Sequence, residues 1–214
     1  MEQLPDPVVD PAAVLWSARI EELAERPLLV LLHGVGADEG DLFGMSPQLP
    51  LHPVIASLRA PTRYGPGWSW YDLGTPGDPN SEGVDAAARA VLAWLDALPV
   101  QPPSIGILGF SQGAAVAAQA MRHAPARFDH AVLLSGYVTS GDVEGDEELA
   151  RLRPPVFWGR GTADDVIPRV AVQHTAQWLP DHVTLDARIY EGLGHSVSQQ
   201  ELTDIVGFLR DRRR

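Results

Sequence analysis

Short strand-like segments alternate with helical patterns along this chain, and that alternation limits the folds open to it. Short apolar runs are typical of strands buried on both faces. The candidate strands are residues 27–32, 54–58, 105–108, 131–134, 156–158 and 184–190. One candidate helix begins at Val84, and three others span 112–123, 170–179 and 202–209. The alternation predicts an α/β fold with a mostly parallel central sheet and helices on both faces.

Length and composition indicate one globular domain. The chain has 214 residues, of which 45% are hydrophobic and 21% are charged, an ordinary balance for a chain that buries its own core. No internal repeat divides the sequence. We therefore expect a single domain over residues 1–214, with residues 1–13 as an irregular N-terminal arm.

Charge and residue usage exclude several classes of protein. The net charge of −12 disfavours nucleic acid and anionic membranes as main partners. The absence of cysteine excludes disulfides, thiolate nucleophiles and cysteine-based metal sites. The apolar run at 28–32 is too short to cross a bilayer, and the opening MEQLPDPVVDP lacks the basic start and apolar core of a signal peptide. We expect a cytoplasmic protein without stable membrane insertion.

The motif GFSQG, residues 109–113, follows one candidate strand and precedes a candidate helix. In this context Gly-x-Ser-x-Gly is the pattern of a nucleophile elbow, a sharp turn that presents the serine above the sheet. The two glycines supply the room in which strand and helix approach each other. The motif favours Ser111 as a nucleophile and the NH of Gln112 as a donor to a tetrahedral oxyanion.

A nucleophilic serine needs a base and an orienting carboxylate, and on such an elbow they follow in the order Ser, acid, His. Among the seven histidines, His195 lies in a glycine-rich loop after the last candidate strand and is the favoured base. Asp164 and Asp165 both follow the strand at 156–158, and the residues alone do not choose between them. Weaker candidates for the acid are Asp129, Asp142 and Asp146.

A second oxyanion donor in such sites comes from the loop after an early strand. The segment LHGVGA, residues 32–37, follows the first candidate strand. Because glycines flank Val35, its NH can turn toward the site. The sequence therefore predicts an oxyanion hole made by the NH groups of Val35 and Gln112.

Seven blocks of the sequence resemble the bacterial carboxylesterase and acyl-protein thioesterase family of small α/β hydrolases. The blocks are LHGVGADEGDL (32–42), RAP (59–61), WSWYDL (68–73), GFSQGAAVA (109–117), LSGY (134–137), GTADDVIP (161–168) and YEGLGHSVSQQEL (190–202). They span nearly the whole chain in the family's order. The resemblance implies the α/β-hydrolase fold, and it implies that Asp164, three residues after Gly161, is the acid rather than Asp165. Arg160 departs from the family's pattern, which often has histidine at that position.

The resemblance also implies what the site acts on. Members of this family hydrolyse carboxylic esters or thioesters, need no metal or organic cofactor, and are often dimeric. Trp70 lies with Trp68 and Tyr71 in the long segment 60–83, and we expect it to contact the substrate's acyl chain. We expect a carboxylesterase for short to medium acyl chains, acting on a small ester or an acylated substrate, with a homodimer as an assembly to test.

Only residues 136–154 separate two candidate strands at the place where larger hydrolases of this fold insert a lid, so we expect no large lid domain. An open site suits an esterase better than an interfacial triglyceride lipase. One alternative is an acyl-protein thioesterase or lysophospholipase. Another is a non-catalytic binding protein on the same scaffold, which the retained serine, aspartate and histidine disfavour.

Overall fold

The computed structural model describes residues 7–74 and 81–212. The strands are β1 (Leu15–Trp16), β2 (Leu28–Leu32), β3 (Val54–Leu58), β4 (Thr62–Tyr64), β5 (Gly67–Ser69), β6 (Ile105–Phe110), β7 (His130–Leu134), β8 (Pro155–Gly161) and β9 (Thr184–Tyr190). The α-helices are α1 (Glu39–Phe43), α2 (Ser81–Asp96), α3 (Gln112–His123), α4 (Asp146–Leu152), α5 (Arg169–His182) and α6 (Gln199–Arg210). Turns of 3-10 helix span Pro11–Ala13, Ile20–Ala24, Ser46–Gln48 and Pro125–Arg127.

Seven strands form one sheet in the order β1-β3-β2-β6-β7-β8-β9. Every neighbouring pair is parallel except β1 with β3. The central strand β2 is buried along its whole length, which explains its unbroken apolar sequence. The predicted parallel α/β sheet is confirmed, and the arrangement is the α/β-hydrolase fold.

Alternate residues of the central strands face two separate apolar layers. Leu28, Val30 and Leu32 of β2 belong to the larger core, which also contains the apolar stripes of α2 and α3. Leu29 and Leu31 face the opposite way and pack in a second core. That core is closed by residues of α1 and α6, so helices cover both faces of the sheet, as the sequence predicted.

The segment 60–83 contains structure that the sequence patterns did not predict. Strands β4 and β5 form a separate antiparallel hairpin, with Thr62 opposite Ser69. Residues 75–80 of this segment lie outside the described residues. In the predicted N-terminal arm, residues 1–6 also lie outside them, and the Asp10 side chain accepts a hydrogen bond from the NH of Ala12 at the start of a 3-10 turn.

Between β7 and β8, where a lid would be inserted, the structure places one short helix, α4. None of the helices in the described residues is long and apolar enough to cross a membrane.

Candidate active site

The candidate site lies at one edge of the sheet, where the parallel strands end. Ser111 directly follows β6, Asp164 follows β8, and His195 lies in the loop after β9. Val35 lies beyond the end of β2. Because the carboxyl ends of parallel strands meet at the same edge, four distant parts of the chain converge there.

Ser111 adopts strained backbone angles at the junction of β6 and α3. Its φ is 53° and its ψ is −116°, a combination that non-glycine residues rarely adopt. A Cβ placed on Gly109 would lie 2.3 Å from the carbonyl oxygen of Gly113, and one on Gly113 would lie 2.1 Å from the carbonyl oxygen of Leu32. Both glycines are therefore required by close backbone approach, as the elbow motif predicts.

The three predicted catalytic side chains form a continuous hydrogen-bonded chain. His195 Nε2 lies 2.8 Å from Ser111 Oγ, and His195 Nδ1 lies 2.8 Å from Asp164 Oδ2. Because a carboxylate only accepts, Nδ1 carries the proton and donates to Asp164. Nε2 is then free to accept the proton of the Ser111 hydroxyl, which is the orientation that a general base needs.

Asp164 is held in its ionised form by its neighbours. Burial by itself raises the pKa of this carboxyl, but the interactions with His195 and the hydrogen bonds from the NH groups of Val166 and Ile167 together lower the pKa. Oδ1 accepts from the NH groups of Val166 and Ile167, at 3.0 and 3.4 Å. Asp165 is exposed to solvent, so the structure brings only the first of the two aspartates to the histidine.

The two predicted oxyanion donors are unengaged NH groups beside Ser111. Gln112 is the first residue of α3, and within residues 7–74 and 81–212 neither its NH nor that of Val35 has an acceptor. A Cβ on Gly34 would lie 3.5 Å from the Cβ of Ser111, so the loop that carries Val35 is adjacent to the serine. The dipole of α3 adds positive potential at the same place.

His33 precedes Ser111 in the chain, so the order Ser, acid, His excludes it as the base, yet the structure gives it a positioning role. The side chain is fully buried, and burial lowers the pKa of its imidazole. Nδ1 donates to the carbonyl of Gly34 at 2.7 Å, while Nε2 accepts from the NH of Ala60 at 3.1 Å. A histidine directly after a fully buried strand needs hydrogen-bond partners for both ring nitrogens. Its place in the sequence could therefore have indicated a structural role for His33.

The side chain of Gln112 also has a role that the sequence did not reveal. Its Oε1 accepts from the NH of Trp70 at 2.8 Å, and its Nε2 donates to the carbonyl of Tyr71 at 2.7 Å. The buried amide thereby fixes the aromatic segment to the first turn of α3. Because the same residue supplies the candidate oxyanion NH, the segment and the oxyanion donor are positioned together.

The prediction that Trp70 contacts the substrate is wrong. Trp70 is only 1% exposed, and its indole NH donates to the carbonyl of His33 at 2.9 Å. A side chain this deeply buried packs against the residues of the site and does not contact the substrate. Trp70 lies just past β5, where its NH is held by the side chain of Gln112, and hydropathy alone could not tell it from a surface aromatic.

The neighbours of Trp70 differ in exposure. Tyr71 is buried, and its hydroxyl lies 3.0 Å from the hydroxyl of Tyr137. Trp68 is half-buried, and the guanidinium groups of Arg59 and Arg63 lie 4.9 and 4.6 Å from its ring centroid. These cation–π contacts are a structural use of the ring.

The imidazole of His195 packs on Phe110, the residue before the elbow serine. Their ring centroids are 4.9 Å apart, so the ring limits the positions that the histidine adopts. The side chain of His195 remains 17% exposed, which leaves one side open to substrate and water. Among the residues that the structure describes, no group of three or more histidine, aspartate and glutamate side chains could hold a metal ion.

Together, the elbow, the hydrogen-bonded chain and the sheet define the molecule as an α/β hydrolase with a serine-centred site. The sequence profile of the Phospholipase/Carboxylesterase family matches residues 18–212, and the chain belongs to this family. The expected carboxylesterase is confirmed at the level of the family.

Two curated relatives illustrate the family's range. Carboxylesterase SOBER1 of Arabidopsis thaliana is 31% identical over 87% of this chain and 91% of its own length. Acyl-protein thioesterase 1 of Saccharomyces cerevisiae is 30% identical over 86% of this chain and 92% of its own. The similarity therefore extends beyond the bacterial proteins that the motifs suggested.

Solved structures share the fold. Esterase PE8 superposes with a TM-score of 0.77 at 25% identity, covering 95% of this chain and 99% of its own. The Bacillus cereus carboxylesterase superposes with a TM-score of 0.78 at 19% identity, covering 92% and 93% of the two chains.

Proposed function

We propose that this protein is a serine hydrolase that cleaves carboxylic esters of short to medium acyl chains through an acyl-enzyme. The observation that supports it most directly is the pair of 2.8 Å hydrogen bonds that link Ser111, His195 and Asp164. No metal or organic cofactor is needed for this chemistry. The substrate is a small-molecule ester or an acylated molecule in the cytoplasm.

In the acylation step, Ser111 Oγ attacks the ester carbonyl carbon while His195 Nε2 takes the hydroxyl proton. Asp164 holds the Nδ1–H tautomer and stabilises the imidazolium that forms. The NH groups of Val35 and Gln112 donate to the oxyanion, and loss of one such donor costs about 3 kcal/mol of transition-state stabilisation. His195 then protonates the departing alcohol as the carbon–oxygen bond breaks.

In the deacylation step, water enters from the open side of His195. The imidazole takes a proton from the water, whose oxygen attacks the acyl carbonyl, and the oxyanion forms in the same hole. Collapse of this intermediate breaks the bond to Ser111 Oγ, and His195 returns the proton to the serine. The carboxylic acid leaves and the enzyme is restored.

Thioester or lysophospholipid hydrolysis is the second candidate. The observation that favours it is the 30% identity to an acyl-protein thioesterase over nearly the full length of both chains. The mechanism is unchanged, because a thiolate leaves the same tetrahedral intermediate.

A homodimer in solution is a further proposal, which size-exclusion chromatography with light scattering would test.

The first experiment is a series of p-nitrophenyl esters from acetate to laurate, hydrolysed by the wild type and by Ser111→Ala. We expect serine-dependent turnover with a maximum at short to medium chains. Ser140→Ala, at an exposed serine outside the site, is the matched control and should retain wild-type turnover.

A maximum at long chains would favour the thioesterase or lysophospholipase. Turnover by pure, folded Ser111→Ala at the wild-type rate would exclude the proposed mechanism. Absence of turnover in the wild type, together with failure of a fluorophosphonate to label Ser111, would favour a binding protein on the hydrolase scaffold.

A further inference from the structure

A cleft of about 450 Å³ lies beside Asp164. The end of β8 and the first turn of α5 form its walls, with Arg160, Thr162, Arg169 and Gln173 among the lining residues. A small cavity of about 20 Å³ shares Arg160 and Asp164 with the cleft and reaches Ser135. The mechanism above uses none of these residues except Asp164.

Arg160 brings an unpaired positive charge to this cleft. Its Nε is buried, and across residues 7–74 and 81–212 the side chain has no hydrogen bond or ion pair. The guanidinium carbon lies 5.6 Å from the ring centroid of Trp158. Arg160 is half-buried, and among the described residues only its Nε is enclosed without a partner; because buried N–H groups are almost always hydrogen-bonded, this one points to an acceptor supplied by a ligand.

Ser135 brings an unpaired hydroxyl from the other side. The residue is 2% exposed, its Oγ has no hydrogen-bond partner in the described part of the chain, and it lines the small cavity. Its φ of 44° is in the left-handed region, which is strained for serine. Strain of this kind persists where the surroundings require it, and it is concentrated at binding and catalytic sites.

The start of α5 adds positive potential at the mouth of the cleft. The N-cap residue is Pro168, which has no side-chain acceptor for the first turn, and the first helical residue is Arg169. Arg169 is exposed and has no ion pair among residues 7–74 and 81–212. A helix N-terminus and a guanidinium both favour an anion, and here they adjoin the two unpaired groups already described.

Asp164 also lines the cleft and carries a negative charge, but it is not paired with Arg160. Its Oδ2 accepts from His195, and its Oδ1 accepts from the NH groups of Val166 and Ile167. It forms no ion pair with Arg160 in the described structure. The cleft therefore keeps two cationic side chains in a protein whose net charge is −12.

We propose that this cleft is a binding site for an anionic group, a carboxylate or phosphate. Arg160 is its main ligand and Arg169 attracts the anion at the mouth, while the hydroxyl of Ser135 lies in the adjoining small cavity, which has room for a water molecule. Gly136 packs against the elbow, where a Cβ on this glycine would lie 3.3 Å from the carbonyl oxygen of Ser111. Asp164 belongs to the proposed catalytic site and also lines the cleft, so an ester with an acidic group several bonds from its carbonyl can reach both. That use of the site rests on the proposed function.

The binding arm of the test uses catalytically inactive Ser111→Ala protein, so that it does not depend on turnover. Succinate and inorganic phosphate are titrated separately by isothermal calorimetry. Adding Arg160→Gln should weaken binding by about tenfold or more, because a charge-assisted hydrogen bond is lost. Arg151→Gln is the matched control for charge, since Arg151 is 70% exposed on α4.

The kinetic arm compares p-nitrophenyl hemisuccinate with p-nitrophenyl butyrate, which has the same acyl length without the carboxylate. We expect Arg160→Gln to lower the ratio of kcat/KM for the acidic ester to that for the neutral ester by about tenfold. Arg160→Lys should restore part of the ratio. Arg169→Gln, an exposed change that spares folding, should lower the ratio by about threefold.

A changed ratio identifies the anion as part of the substrate. An unchanged ratio with Arg160-dependent binding of phosphate or succinate identifies a free anion, and both results support the site. The proposal is overturned if the folded Ser111→Ala protein binds neither anion and neither arginine variant changes the ratio. If the wild type hydrolyses no ester, the proposed function fails while the calorimetry still decides the anion site.

Discussion

Two buried carboxylates flank strand β8, and their surroundings give them opposite properties. Asp164 follows the end of the strand, and both of its oxygens accept hydrogen bonds. Glu201 lies on α6 against the strand, where a Cβ on Gly159 would be 2.1 Å from its Oε1. Glu201 is 1% exposed, and in the described part of the chain neither of its oxygens has a hydrogen bond of good geometry.

The pKa values of the two groups follow from those contacts. Burial raises both, but at Asp164 the interactions with His195 and with two backbone NH groups together reverse the direction. At Glu201, burial raises the pKa from 4.5 to about 7, the charge of Asp204 adds to it, and the nearby backbone of Ser198 offsets only part. Partners, rather than depth, therefore decide whether a buried carboxylate is ionised.

The two groups also contribute opposite dependences of stability on pH. Because the pKa of Asp164 is lowered in the folded state, this residue stabilises the fold at pH values where the carboxyl of the unfolded chain is ionised. That stabilisation is lost as pH falls through the folded-state pKa. The raised pKa of Glu201 means that the folded state retains a proton that the unfolded state releases. Its contribution to the free energy of unfolding therefore decreases as pH rises from 4.5 to about 7.

The largest expected effect is at the paired carboxylate. Asp164→Asn should lower kcat for p-nitrophenyl butyrate by about 10⁴-fold, because an amide no longer holds the Nδ1–H tautomer of His195. The measurement is steady-state kinetics, with circular dichroism to confirm folding. A loss smaller than about tenfold would remove Asp164 from the mechanism.

The next effect is on stability at the unpaired carboxylate. Between about pH 5.5 and about pH 8.5, titration of Glu201 should lower the free energy of unfolding of the wild type by about 2 kcal/mol. In Glu201→Gln this decrease should be absent, because glutamine does not titrate. Urea unfolding at the two pH values measures it. Glu147→Gln, at an exposed position on α4, is the matched control and should leave the pH dependence unchanged. An equal slope in Glu201→Gln and wild type would show that Glu201 does not titrate in this range.

The smallest effect is expected at the exposed neighbour. Asp165→Asn should change kcat by less than about twofold, because an exposed carboxylate without a partner contributes little. The same ester assay compares it directly with Asp164→Asn. If Asp165→Asn were the more damaging of the two, the acid would have to be reassigned.

Much of this molecule could be predicted from local sequence. All six candidate strands are present, and the unbroken apolar run at 28–32 is buried along its whole length, as that pattern requires. The position of Ser111 could be predicted from the two glycines of its motif, because they allow the close approach of strand and helix within the same short stretch of chain. Asp164 could not be chosen from Asp165 on the residues alone, since their difference is the direction in which each side chain points.

Other features depended on contacts between distant segments. The β4–β5 hairpin begins with a polar, exposed strand that lacks an apolar alternation. The role of Gln112 as an anchor for Trp70 joins residues 42 positions apart, and no periodicity marks such a pair. The family resemblance and the place of Trp70 in the segment 60–83 predict a contact with substrate, whereas its burial is set by that anchor.

The sequence by itself determined the α/β sheet, the elbow at Ser111 and the membership of the hydrolase family, because each rests on short-range patterns of hydrophobicity and glycine. Only the tertiary structure decided which carboxylate meets His195, which aromatic is enclosed, and which of the buried polar groups lack partners. Those outcomes depend on the register of parallel strands and on side-chain direction. A change of one residue along a strand reverses the face to which a side chain points.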